Sequence, residues 1–374
     1  MKLTVVQLVN TLMMGGAETL IKDYALLFDK NKFNVSIIVT GGKCNTVNEK
    51  ILEENSIHVY YLGDHVGVVT HANAKYSKIY NLVTKQIILN NLLRKIAPDI
   101  IHAHLETAIY LTLYNSKKTK IFYTFHNELE KMFDTNKLFE LSVARLISHK
   151  KATPIALHKE MALEINQRFQ TNNAVVVNNG INLDRFLDAR RNKEKIKNSL
   201  RVELGLPIDA YVIGHVGRFV HQKNHEFLIN IFEAFNKRVT NTFLLLIGEG
   251  HLKKDIEQQL NKMNLLENVV FLENRGDIPH LMACMDVFVF PSHFEGFGNV
   301  LIEAQAVGVK CIMSDVVPKE TIVTKETCSV SLDEPADIWV DTILNESKIS
   351  NVYNTLDDLN IKKSVKQLEE MYQN

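Results

Sequence analysis

The sequence predicts an α/β protein made of two Rossmann-like, doubly wound domains. Three observations predict it. Short apolar runs of strand length are each followed by a loop, often glycine-bearing, and then by a segment of helical periodicity, the order of a βαβ unit. That rhythm breaks at Asn178-Asn179-Gly180-Ile181-Asn182 and restarts at Tyr211. The 374 residues, 46% of them hydrophobic and 23% charged, suffice for two such cores.

The first strand is read at Leu3–Val9, leading through Asn10-Thr11-Leu12-Met13-Met14 to Gly15-Gly16 and a helix from Ala17 to Phe28. Because this stretch is short, carries Gln7 and runs into a glycine turn, it does not read as a signal peptide. The loop is not GxGxxG, which argues against a nicotinamide dehydrogenase, yet it offers backbone N–H groups and a helix start to an anion. Further strands are expected at Asn34–Thr40, Val59–Leu62, Ile100–His104, Lys120–Phe125, Ala152–Leu157 and Ala174–Val177, with a helix over Ile79–Ile96. Three histidines fall at strand ends. A structural role is the ordinary reading for His102 and His104, whereas His126 closes a near-continuous strand at the edge where open α/β sheets bind ligands.

The segment Asp188–Glu203 reads as a solvated helix, since Glu194 and Glu203 dilute its cations and no aromatics interleave. The second half then brings strands at Tyr211–Val216, Thr242–Ile247, Val269–Leu272, Met285–Phe290 and Val309–Ser314, and a helical tail from Leu356 to Tyr372. Arg218 and Lys223 follow the first of these strands, a planar guanidinium fork and a mobile ammonium suited to a diphosphate. Glu295 lies in a glycine-flanked loop after the fourth strand, and Glu303 about a turn into the helix that begins at Asn299.

Composition excludes several classes. Formal net charge is zero, which removes the bulk drive for nonspecific nucleic-acid binding. Cys44, Cys284, Cys311 and Cys328 lack CxxC spacing and read as reduced thiols of a cytoplasmic protein. There is no DxD triplet and no His/Asp/Glu cluster with metal-ligand spacing, so neither a metal nor another cofactor is expected. No apolar run reaches the ~18 residues needed to span a bilayer. Basic and apolar residues in Ile79–Ile96 and Lys131–Lys151 suit peripheral membrane contact, or a plain solvated helix face.

Several pieces in order carry a resemblance: Gly217-Arg218-Phe219 with Gln222-Lys223-Asn224, Ile247-Gly248-Glu249-Gly250, Val269–Leu272, the E-x7-E pair Glu295 and Glu303, and Ala306-Val307-Gly308. Gly15-Gly16-Ala17-Glu18, Ile101-His102-Ala103-His104, Tyr123-Thr124-Phe125-His126 and Val177–Ile181 add to it. The chain resembles the retaining GT-B glycosyltransferases of family 4, in which two Rossmann-like domains face across a crevice, and among them the bacterial exopolysaccharide and capsule transferases. The resemblance implies an acceptor domain over 1–182, a nucleotide-sugar domain over 183–350, and a C-terminal helix in 351–374 packing back toward the first.

It also implies transfer of a sugar from a nucleotide-sugar, a UDP-sugar foremost, to a saccharide acceptor linked to polyprenyl diphosphate at the inner membrane face. Arg218 and Lys223 would bind the diphosphate, Glu303 the ribose, and Glu295 the sugar hydroxyls, helped by backbone N–H groups of Gly296, Phe297, Gly298 and Asn299, with Val300 beside them. Gly248 and Leu272 would line the nucleotide side. Gly15 and Gly16 would approach the diphosphate or the acceptor, and His126 the reacting sugar. Glu273 and Phe297-Gly298-Asn299 depart from the family's commoner residues, which leaves base and sugar preference open. A sugar-nucleotide epimerase of the same fold and a catalytically silent partner subunit are the competing readings.

Overall fold

Runs such as Leu3–Val9 and Val287–Phe290 carry too many consecutive apolar residues for a strand with one wet face, so they must sit inside a parallel sheet covered on both sides. A computed structural model of the chain describes residues 2–13, 15–65, 74–134, 136–149, 151–273, 275–345 and 352–374. Met14 of the first glycine loop, Thr135 and Lys150 of the Lys131–Lys151 segment, Asn274 after Glu273, and residues 346–351 at the expected domain limit lie outside the described residues.

Two compact units are formed, one of Met1–Asn179 with Ile361–Asn374, the other of Gly180–Asn360. In the first, the strands are β1 (Leu3–Val9), β2 (Phe33–Val39), β3 (His58–Tyr61), β4 (Ile100–His104), β5 (Lys120–Thr124), β6 (Thr153–Ala156) and β7 (Val175–Val176). Among the described residues they make a seven-stranded parallel sheet of order β3-β2-β1-β4-β5-β6-β7. The order reverses between β1 and β4, so the loops leaving these two strands splay apart at their C-terminal ends and open a crevice there.

The helix Ile361–Gln373 belongs to this first unit. Its Ile361, Val365, Leu368 and Tyr372 join Val5, Leu20, Tyr24, Phe28, Phe122 and Val177 in one core cluster. Ser364 Oγ and Gln367 Nε2 donate to the carbonyls of Asn178 and Val176, tying the helix to the end of β7. Its start, at Ile361, is later than the Leu356 expected from sequence, because Leu356–Asn360 is taken up in turns.

The second unit contains β8 (Tyr211–Val216), β9 (Thr242–Ile247), β10 (Val269–Leu272), β11 (Val287–Phe290), β12 (Lys310–Ser314) and β13 (Thr327–Val330). They form a parallel sheet of order β10-β9-β8-β11-β12-β13. Its core gathers Phe219, Phe232, Phe235, Val289, Ile312 and Trp339, and Trp339 comes from a helix, Ala336–Leu344, not singled out in the sequence. The charged segment also differs from the expectation. It is two helices, Leu183–Arg191 and Lys193–Glu203, and Arg201 on the second is buried. The guanidinium donates to Asp286 Oδ2 at 2.7 Å and to the carbonyls of Cys284, Ile208 and Ala210, while Lys197 bonds Asp286 Oδ1 at 2.7 Å. A run of cations that looks solvated thus anchors the helix to the sheet through the residue just before β11.

Candidate active site

In the second unit, the loop after β8 and the loop after β11 are stitched together by polar groups. Lys223 Nζ sits 2.6 Å from Glu295 Oε1, with side chains only 13% and 7% exposed. The same ammonium lies 4.7 Å above the Phe290 ring, so aromatic π-electrons back the carboxylate in holding it. Gln222 Nε2 donates to the Phe294 carbonyl at 3.0 Å, and the backbone N–H of His293 donates to the Gln222 carbonyl at 2.8 Å. Local geometry explains how Lys223 arrives there: His221–Lys223 is one tight 3-10 turn, closed by Asn224 in the left-handed region, whose side chain caps the next helix.

Arg218 stands outside this network of bonds. It is exposed and has no hydrogen-bond or ion-pair partner among the described residues. Beyond Glu295, Gly296 and Phe297 are buried, so the Phe297 ring offers no face to a ligand. Gly298, at φ +86°, turns the chain into the helix Asn299–Val307 without any side-chain cap. The N–H groups of Asn299 and Val300 therefore meet no capping side chain, and the helix start carries positive potential. Asn299 Oδ1 is buried without a partner among the described residues. Glu303 stands half-buried one turn further on.

Gly248 has a structural reason that the motif alone does not reveal. A Cβ there would lie 2.1 Å from the Gly217 carbonyl oxygen, because the loops after β8 and β9 touch backbone to backbone. The contact is sealed by Phe219 N–H to the Glu249 carbonyl at 2.9 Å. Leu272 ends β10 and accepts from the Gly248 N–H at 2.9 Å. Next to it, Glu273 is bound by Lys253 at 2.6 Å, which fixes the residue that departs from the family pattern.

In the first unit, Gly15 starts the helix Gly16–Leu27 with no side-chain cap, and Glu18 folds back over it: a Cβ on Gly15 would lie 2.2 Å from Glu18 Oε2. Carbonyls of Leu12 and Met13 accept from Thr46 Oγ1 and Asn48 Nδ2, both at 2.8 Å, and pin the loop. With a carboxylate already at this helix start, the loop suits a hydroxyl-bearing ligand better than a phosphate.

The three histidines form one buried chain of contacts. His126 Nε2 is 3.0 Å from His104 Nδ1, and His104 Nε2 is 2.7 Å from Gln7 Oε1. His102 Nδ1 is 2.6 Å from the Tyr372 hydroxyl, and His102 Nε2 is 2.6 Å from Thr124 Oγ1. His126 Nδ1 ends the chain, buried and unpartnered among the described residues. Sequence reasoning singled out His126 and passed over Gln7, Thr124 and Tyr372. The available signal was a set of polar residues inside otherwise apolar parallel strands: Gln7 in LTVVQLV, His102 and His104 in IIHAH, and Thr124 in KIFYT.

With this geometry in place, known proteins can be compared. The family model Glycosyltransferase Family 4 matches residues 14–185, and Glycosyl transferases group 1 matches residues 196–344. The chain carries a glycosyltransferase family 4 domain followed by a glycosyl transferases group 1 domain. The chain is 38% identical over 170 residues to EpsF of Bacillus subtilis (strain 168), covering 44% of the chain and 42% of EpsF. It is 27% identical over 209 residues, 53% of either chain, to an Escherichia coli protein named UDP-Gal:alpha-D-GlcNAc-diphosphoundecaprenol alpha-1,3-galactosyltransferase. The chain thus spans about half the length of these curated relatives. The Anabaena protein Alr3699/HepE, solved in complex with UDP-glucose, superposes with a TM-score of 0.76 at 18% identity over 99% of both chains, which establishes the GT-B fold.

Burial holds several of the chain's histidines toward the neutral form. Burial pulls His102 down to about 3, and His126 and His215 to about 4; burial, with His215 and Lys223 nearby, takes His225 to about 2. In the unfolded chain each titrates near its ordinary value of about 6.5. Between those values the unfolded state binds protons that the folded state refuses, so stability is full above about pH 7 and declines as pH falls toward 4. Each such histidine contributes a slope of at most about 1.4 kcal/mol per pH unit. Urea midpoints measured at about pH 7.5 and about pH 5 should fall on acidification; an unchanged or higher midpoint at the lower pH would contradict neutral burial.

Proposed function

We propose that the chain is a retaining glycosyltransferase that moves a hexose from a UDP-sugar to a hydroxyl of a polyprenyl-diphosphate-linked saccharide in exopolysaccharide or capsule synthesis. The observation that carries this reading is the buried Lys223–Glu295 pair of the second unit, with Arg218 exposed on the same β8 loop as Lys223 and an uncapped helix start at Asn299 on the same β11 loop as Glu295. Cations and aimed N–H groups recognise a diphosphate, and an adjacent buried carboxylate recognises sugar hydroxyls. The Escherichia coli relative's name specifies a UDP-sugar donor and a diphosphoundecaprenol-linked acceptor, and HepE binds UDP-glucose; both support the same chemistry here.

In this reading Arg218 and Lys223 hold the diphosphate, and Glu303 accepts from the ribose hydroxyls. Glu295 takes a sugar hydroxyl together with N–H groups of the 296–299 segment, and Val300, Gly248 and Leu272 flank the nucleotide. From the first unit, His126 contacts the reacting sugar and Gly15-Gly16 the acceptor. The bond between the anomeric carbon and the phosphate oxygen breaks, and its electron pair stays on the phosphate. The acceptor oxygen bonds to the same face of that carbon, and its proton passes to the departing phosphate oxygen. The two cations and the helix start balance the leaving charge, so the reaction is proposed to need no metal.

Acceptor location has its own support. On the helix Ala74–Ile96, Ile79, Tyr80, Val83 and Ile87 are exposed, and at helical spacing Arg94 falls on the same stripe. No Asp or Glu occurs in this helix, a composition suited to an anionic membrane surface. Peripheral contact at the inner membrane face is therefore proposed. No helix among the described residues is long and apolar enough to cross a membrane.

Incubation with UDP-, GDP- and ADP-sugars plus a lipid-linked acceptor extract should give UDP-sugar-dependent label in the lipid fraction, persisting in EDTA and falling about a hundredfold or more in Arg218→Ala. Donor binding without turnover would identify a silent subunit, and epimerised sugar without acceptor would identify an epimerase; either result defeats the proposal. In a separate test, vesicles containing anionic lipid should co-sediment the protein and neutral vesicles should not, with the difference lost in Ile79→Ser/Ile87→Ser. Co-sedimentation indifferent to lipid charge would refute the membrane contact.

A further inference from the structure

The chain of contacts from Tyr372 to His126 has to be satisfied atom by atom, because every member is buried and each contact needs one donor and one acceptor. For neutral rings the tautomers of His104 and His126 follow from which way the Gln7 amide faces, while His102 follows from where the Tyr372 hydroxyl places its proton. The 2.7 Å separation between Gln7 and His104 Nε2 suits a ring N–H donating to a carbonyl oxygen, and is short for an amide N–H donating to a ring nitrogen. With Gln7 Oε1 on His104, Gln7 Nε2 falls on the Tyr372 side, where it donates to that hydroxyl at 3.5 Å. The Tyr372 hydroxyl, having accepted, donates in turn to His102 Nδ1, and His102 Nε2–H donates to Thr124 Oγ1.

The consequence runs outward to the end of the chain. His104 carries its proton on Nε2, so its Nδ1 is an acceptor, and His126 must supply the proton in their 3.0 Å contact from its own Nε2. We propose that Tyr372 and Gln7 are positioning residues that hold His126 in the Nε2–H tautomer, so that its unpartnered Nδ1 offers a lone pair to a substrate hydroxyl. The opposite tautomer would present an N–H there, which hydroxyl, carbonyl and phosphate oxygens can all accept, whereas a bare Nδ1 requires a ligand that donates. A neutral imidazole with a lone pair cannot bind phosphate, which makes His126 a receptor for a sugar hydroxyl. The depressed protonation of His102, His104 and His126, caused first by burial, agrees with neutral rings throughout.

Tyr372 is placed for this role by packing. Its ring stacks on Phe28 at 5.5 Å and tilts against Phe122 at 5.0 Å, so the helix Ile361–Gln373 delivers one hydroxyl to a fixed point beside His102. The helix therefore does more than cover the sheet of the first unit.

This inference rests on the reading that His126 meets the sugar, and the test separates the two. In the full chain labelled with 15N-histidine, ring-nitrogen spectra near neutral pH, with His126 assigned by its loss in His126→Ala, should show Nε2 protonated and Nδ1 bare. In Gln7→Leu and in Tyr372→Phe, the His126 signals should move toward a mixture of tautomers. Transfer should slow about tenfold, the worth of one hydrogen bond of about 1.4 kcal/mol. Tyr372→Phe removes one oxygen and keeps the ring packing, so it remains informative if Gln7→Leu does not fold. A wild-type His126 protonated on Nδ1, or ring signals unmoved in both variants, overturns the relay. Turnover by His126→Ala at the wild-type rate would instead remove His126 from the reaction and leave the tautomer result standing.

Discussion

The ion pair between Lys223 and Glu295 is the contact that the architecture of the second unit leads up to. Taking an ammonium and a carboxylate out of water costs several kcal/mol per ion, and in such pairs the loss of one partner typically costs about 3–5 kcal/mol. The fold meets that cost with geometry. The tight turn ending at Asn224 sets the lysine, Phe290 supplies a ring beneath it, and Gln222 ties together the two loops that carry the charges. An anion arriving at Lys223 and a hydroxyl arriving at Glu295 would each replace one side of an existing pair, so no charge need be left bare when the nucleotide product leaves.

The two units carry different kinds of polar group. The second holds Arg218, Lys223 and an uncapped helix start. The first holds the neutral chain ending at His126 and a glycine loop whose helix start is already answered by Glu18. A parallel sheet makes this economical, since every strand delivers its last polar residue to the same edge. Gln7, His104 and Thr124 sit at or near the C-terminal ends of adjacent strands and need no loop to bring them together.

Much of this was legible in the sequence, for identifiable reasons. Strands buried on both faces advertise themselves as apolar runs, and a glycine after such a run marks a sharp turn, so the sheets and the loops holding Arg218, Lys223, Glu295 and Gly298 could be read directly. Contacts that depend on register could not. Arg201 looks like one more surface cation until the sheet places Asp286 and three carbonyls around it. His102 and His104 look like isolated structural residues until pairing of β1, β4 and β5 sets Gln7 and Thr124 beside them. Tyr372 stands 270 positions from His102, and no periodicity links them. Gly248 was legible as a glycine but not for its reason, which is the approach of another loop's backbone.

The central claim is that the Lys223–Glu295 pair is the resting form of a donor site. A crystal structure with UDP and a non-transferable UDP-sugar tests it most directly. The account predicts the diphosphate within hydrogen-bonding distance of Arg218, Lys223 and the N–H groups at Asn299, with Glu295 turned to a sugar hydroxyl. Density for the nucleotide elsewhere, with Lys223 and Glu295 still paired and no ligand against either, would contradict it.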